Sequence, residues 1–275
     1  MNPTCSMKPT LVLFGGLWIS ATLSAQPLER PDWGAHFRPD GTAILAAGVL
    51  NAMFLEDKIS DGVGIDMSVT VDVTRSLIDN GVVPGPDDLG NGYVLARTDN
   101  LGSLIYHVGV ERLASTADTW VEFELNQGIV RVRSGAPWPI EGERRAGDLV
   151  VRVTYTAGVL ARADLFVWDG FGFRAASGAA SAGPDCTDVG PVLMFCAGPP
   201  PLHSAQPQAW DSQWLPVAAA PPNSFVEIGV NVAALLGSNI AYTTIQVRTP
   251  RDIILDSFRI AGTPRRRITT KGAHD

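Results

Sequence analysis

The chain has 275 residues, with 21 basic and 28 acidic side chains, a formal net charge of −7 and 45 % hydrophobic residues. An acidic balance argues against nucleic acid as a partner, because phosphate backbones select basic faces. The length suits one large β domain or two small ones. No clean linker splits the chain, so a single domain over residues 26–262 is expected.

Met1 to about Ala25 reads as a cleaved export signal. Lys8 precedes an apolar run from Pro9 to Leu23, and the small residues Ser24 and Ala25 follow. The run is short and broken by Gly15-Gly16, whereas a spanning helix needs roughly 20 apolar residues. No later run is long enough to span. Removal of the signal takes away one lysine, leaving 20 − 28 = −8. Cys5 leaves with it. Cys186 and Cys196 remain, and in an oxidising compartment they are expected to pair.

After a proline-rich opening, Ala43 to Val49 is apolar, and Leu50–Leu55 extends it as a strand or a short helix. From Ile65 to Val73 apolar and polar residues alternate, the period of a strand with one face buried. Residues 79–92 are dense in Gly, Pro, Asn and Asp and read as a long surface loop. Three hairpins are expected next. The first joins Tyr93–Thr98 to Leu104–Arg112, the second Thr119–Asn126 to Ile129–Arg133 through Gln127-Gly128, and the third Asp148–Tyr155 to Val159–Val167.

Residues 175–223 begin with a low-complexity Ala/Ser/Gly stretch and contain Pro199-Pro200-Pro201. They read as a long loop excursion. Asn231 can cap a short helix over Val232–Leu236, with Gly237 ending it. Strands over Ala241–Arg248 and Asp252–Ala261 close the domain, and residues 263–275, with Arg265-Arg266-Arg267, form a basic tail. The pattern predicts an all-β, two-layer antiparallel β-sandwich, jelly-roll-like, with one short helix.

The most regular alternation is in Asp118–Gln127. Val121, Phe123 and Leu125 face inward; Trp120, Glu122, Glu124 and Asn126 share the opposite face, read as wet. Glu122, Glu124 and Asn126 resemble the Glu-x-Asp-x-Glu strand of jelly-roll glucanases, which carries a nucleophile and a general acid. Here the acid position is Asn126, which has no proton to deliver. Cross-strand pairing of the two glutamates with Arg131, Arg133 or Arg152 is the simpler reading.

Trp120, the two glutamates, Asn126, Arg152 and Trp168 form the candidate ligand face, since a flat aromatic beside hydrogen-bonding groups suits a sugar ring. Trp168 belongs to a Trp-Asp-Gly-Phe-Gly-Phe turn rich in aromatics. Asp87–Gly92 is a weak calcium candidate, because Leu89 occupies the third position of the loop pattern. His36, His107, His203 and His274 are isolated, and there is no Gly-x-Ser-x-Gly and no phosphate loop. No cofactor is expected.

Several blocks resemble segments of secreted bacterial β-sandwich proteins of unknown function, related to parts of large cell-surface and extracellular proteins. They are Tyr106–Arg112, Asp118–Gln127, Gly147–Val151, Glu227–Leu235, Ile245–Thr249 and Asp256–Phe258. The resemblance implies a sandwich fold outside the bacterial cell or in its periplasm, and carries over no catalytic residues. The expected function is therefore non-catalytic, a binding or structural role with a glycan or surface component as partner. A carbohydrate-binding module is the second reading and a divergent glycoside hydrolase the third.

Overall fold

A computed structural model describes residues 28–38, 42–55, 64–67, 77–81, 87, 89–112, 117–132, 138–181, 186–198, 223–250 and 253–257. The expected signal, the basic tail and most of the Ile65–Val73 pattern lie outside these residues.

A short helix, α1 (Trp33–His36), precedes β1 (Val49–Leu55), β2 (Gly64–Met67), β3 (Leu77–Gly81), β4 (Leu89–Thr98), β5 (Leu104–Arg112) and β6 (Thr119–Asn126). Then come β7 (Arg131–Val132), β8 (Trp138–Glu141), β9 (Leu149–Thr156), β10 (Val159–Trp168) and β11 (Phe173–Ser181). The described chain ends with β12 (Thr187–Val189), β13 (Leu193–Gly198), β14 (Phe225–Asn231), α2 (Val232–Leu236), β15 (Thr244–Arg248) and β16 (Ile253–Ser257). One six-stranded sheet runs β1-β4-β5-β14-β13-β12 and the other β11-β10-β9-β6-β15-β16. A small four-stranded sheet runs β2-β3-β8-β7. All named pairings are antiparallel.

One apolar cluster draws on both large sheets. Val94, Tyr106, Val108 and Ile228 come from the first; Val121, Phe123, Leu125, Val151, Leu165 and Val247 come from the second. Burying each such side chain stabilises by roughly 1.5–3 kcal/mol, which is why the two inner faces close on each other. The first sheet is covered on its outer face too. Trp33 and Phe37 pack there against Tyr93, Leu95 and Phe225. Gly109 leaves room for them: a Cβ at that position would overlap Phe225 Cζ and lie 3.2 Å from Trp33 Cζ2. Every residue of β5 is consequently buried.

The short helix follows its sequence signals. The Asn231 side chain accepts from the Ala234 N–H, and Gly237 closes the end at φ 71°. The β4–β5 and β9–β10 hairpins form as expected.

Three expectations change. Gln127-Gly128 does not close a hairpin, because the Thr243 and Thr244 hydroxyls donate to the Gln127 and Gly128 carbonyls and hold this turn against β15. β7 then pairs with β8 in the small sheet. Residues 79–92 are not a continuous loop, since β3 and β4 occupy both ends. The 175–223 excursion starts as ordered sheet, because β10 supplies the backbone partners for β11, and β12 and β13 follow. Residues 199–222 lie outside the described set.

Candidate functional site

β6 lies inside the second sheet between β9 and β15. Its alternation holds on the inner side, where Val121, Phe123 and Leu125 are fully buried. The face read as wet is closed: Glu122 is 2 %, Glu124 1 % and Asn126 0 % exposed. This corrects the expectation, and the reason is electrostatic. Carboxylates leave water only when cations and hydrogen bonds replace it. Register sets Glu122 opposite Arg152 on β9 and Arg248 on β15.

Arg152 Nε donates to Glu122 Oε1 at 2.6 Å, and Arg248 Nε donates to Glu122 Oε2 at 2.6 Å. Arg144 holds Glu124 with two parallel bonds, Nε to Oε1 at 2.8 Å and Nη2 to Oε2 at 3.0 Å. That planar fork matches a carboxylate's geometry. Arg248 Nη2 lies 3.6 Å from Glu124 Oε2, joining the two groups. Asn126 Nδ2 donates to Glu124 Oε1 at 2.8 Å, and its own Oδ1 accepts from Gln246 Nε2 at 2.6 Å.

The result is one chain of contacts, Arg152–Glu122–Arg248–Glu124–Arg144, running on through Asn126 to Gln246. Burial by itself pulls the Glu124 carboxyl upward. The Arg144 hydrogen bonds, the Arg248 and Arg144 charges and the Asn126 amide outweigh it, so Glu124 is held below the usual carboxylate range. A carboxyl kept ionised in this way has no proton to give.

The remaining candidates lie at the margin of this network. Arg152 stacks 5.1 Å from the Trp120 ring centroid, and both residues are half-exposed. Trp168 is the last residue of β10, four positions beyond Asp164, which pairs with Arg152. Its ring meets Phe173 edge-on at 5.2 Å, with the Arg144 guanidinium 5.4 Å from Trp168 and 4.6 Å from Phe173. Asp169 Oδ1 accepts from the Phe171 and Gly172 N–H groups at 2.9 Å, which fixes the turn and leaves Phe171 93 % exposed. The structure thus brings Glu122, Glu124, Asn126 and Arg152 together and places Trp120 and Trp168 at opposite ends of the face.

Of the expected partners, Arg152 is in contact; the Arg131 side chain and Arg133 lie outside the described set. Arg248, Gln246 and Arg144 were not anticipated. A signal existed for the first two, since Thr244, Gln246 and Arg248 alternate with buried Ile245 and Val247 as β6 does. Nothing local marks Arg144.

A second buried acidic group lies under α1. Glu227 accepts from Trp33 Nε1 and is bridged by Arg30, while Glu111 accepts from the Tyr93 hydroxyl at 2.6 Å. His107 is fully buried beside them, its Nε2 accepting from Arg97 Nε at 3.2 Å. Cys186 and Cys196 form the expected disulfide, with Cα atoms 4.2 Å apart. Their sulfurs and a Glu227 oxygen lie within 4.8 Å of one another. The sulfurs are bonded to each other and the carboxylate is taken by Arg30 and Trp33, so this trio does not fit a metal. In the weak calcium candidate, Asp87 accepts from the Thr119 hydroxyl, and Leu89–Gly92 are strand.

Compared with known proteins, the chain matches no family model, no curated protein and no solved structure.

Proposed function

We propose that the protein is a non-catalytic β-sandwich, secreted from a bacterial cell, that works by binding a partner or as a structural component of the surface or periplasm. The observation that carries this reading is the state of the β6 carboxylates. Glu122 and Glu124 are buried and each is bonded to arginine, so neither is placed to attack or protonate a glycosidic bond. A retaining or inverting pair needs one carboxyl held protonated and both open to substrate. The disulfide and the absence of a membrane-crossing helix among the described residues are compatible with life outside the cytoplasm.

Incubation with a panel of polysaccharides should release no reducing ends. Steady release, lost in a folded Glu122→Gln variant, would overturn the reading. N-terminal sequencing of protein recovered from periplasm and medium tests export; a retained Met1 in the cytoplasmic fraction alone would count against it.

The second reading, a carbohydrate-binding module, is favoured by the half-exposed rings of Trp120, Phe166 and Trp168 on one sheet face. It moves the binding surface away from the glutamates toward β9 and β10.

A further inference from the structure

The outer face of the second sheet is covered unevenly. Its β6–β15 half is buried, with Glu124, Asn126, Gln246 and Arg248 at 3 % exposure or less. On the β9–β10 half, Arg152, Thr154, Arg162, Asp164, Phe166 and Trp168 are half-buried or exposed.

Two ion pairs on this open half share one orientation. The Arg152 side chain is 42 % exposed above Glu122 at 2 %. That of Arg162 is 57 % exposed beside Asp164 at 16 %, with Nε 3.0 Å from Oδ2. In both, the guanidinium lies outermost and the carboxylate beneath it. Each pair sums to zero, yet the side turned to solvent is positive, and the field of a pair at short range follows its nearer charge. Arg152 is also fixed in place, because its Nε holds Glu122 and its plane stacks on Trp120. A guanidinium already ordered loses little freedom on meeting an anion.

We infer that this open strip binds an acidic polysaccharide, its sugar carboxylates meeting Arg152 and Arg162 and its ring faces lying against Phe166 and Trp168. The inference rests on the non-catalytic binding reading above. A lipid surface fits poorly, since charged pairs stand between the rings. Duplex nucleic acid fits poorly, since its closely spaced phosphates select a continuous basic face and this strip offers two guanidiniums, each beside a carboxylate.

The test is affinity electrophoresis of the full chain through gels containing polygalacturonate, its carboxyl-reduced counterpart, a neutral glucan or duplex DNA. Polygalacturonate should retard the protein, and carboxyl reduction or high salt should abolish the effect. Arg162→Gln, an exposed change that leaves the fold intact, should weaken binding about fivefold, the scale of one exposed charge contact. Phe166→Ala should weaken it independently of salt. No retardation, equal retardation by the neutral glucan or by DNA, or full-strength binding by both variants would overturn the inference. Reducing ends are assayed in the same samples. Shortening of the polymer would refute the non-catalytic reading while leaving binding intact; absent binding without shortening removes only the acidic ligand.

Discussion

Replacing Glu122 with glutamine tests whether the charged face of β6 is closed. The change keeps size and shape but removes the charge between Arg152 and Arg248, which hold it at 2.6 Å from either side. Arg144 and Arg248 then share one carboxylate, Glu124, and Arg248 at 3 % exposure has no water to turn to. Breaking a buried pair from one side costs about 3–5 kcal/mol. We expect about 3 kcal/mol here, because Glu124 still lies 3.6 Å from Arg248. For a chain of this length that lowers the melting temperature by about 6–12 °C. Arg152→Gln removes a partner whose side chain is 42 % exposed, and solvent screening limits its effect to about 1 kcal/mol.

Urea unfolding of the wild type and both variants measures the contrast, with unchanged m-values as the sign that only stability has moved. Two equal losses, or a loss below about 1 kcal/mol in Glu122→Gln, would mean that the acids are solvated and the network as described is wrong.

Burial, and after it the Arg97 and His36 charges, hold the His107 imidazole down to about 3. The unfolded chain takes up that proton near pH 6.5, so stability falls as pH drops from about 6.5 toward 3, by up to about 1.4 kcal/mol per unit. His107→Gln should therefore lose about 2–3 kcal/mol less than wild type between pH 7 and 4.5 by urea unfolding, and equal losses would refute the assignment. Gly109→Ala drives a methyl group into Phe225 and Trp33, and should cost about 1–3 kcal/mol in thermal unfolding; a neutral result would mean that α1 is not seated on β5. Cys186→Ser opens a loop with a sequence separation of 10 and should cost about 2.5 kcal/mol on the chain-entropy estimate, read against wild type in urea with and without reductant. A wild type indifferent to reductant would argue against the disulfide.

Much of the fold was legible from local pattern. Alternation located β6, hairpin turn signals located β4, β5, β9 and β10, and the Asn231 and Gly237 signals bounded α2 to the residue. What alternation does not encode is which side of a strand meets water. Glu122 and Glu124 alternate with Val121, Phe123 and Leu125 whether they face solvent or guanidinium. Their partners sit at positions 144, 152 and 248, so the closure depends on sheet order, which no single segment contains. β11 was missed for the converse reason. Its Ala, Ser and Gly residues have weak strand preference, and it is ordered by the ladder that β10 offers. Of the candidate site, the Glu122–Arg152 pairing was foreseeable from adjacency of β6 and β9, whereas Arg144 comes from a segment without regular structure.

The centre of each large sheet is zipped between strands remote along the chain. Tyr106 on β5 pairs with Val230 on β14, and Phe123 on β6 pairs with Val247 on β15. Both separations are 124 residues (230 − 106 and 247 − 123). High contact order makes folding slow, and until Phe225 onward has been synthesised β5 and β6 each lack a neighbour on one side. A nascent or truncated chain would hold two apolar ribbons with bare edges, ready to aggregate. Assembly of this protein is accordingly a late event, in which the last fifth of the polypeptide completes what the middle has left open.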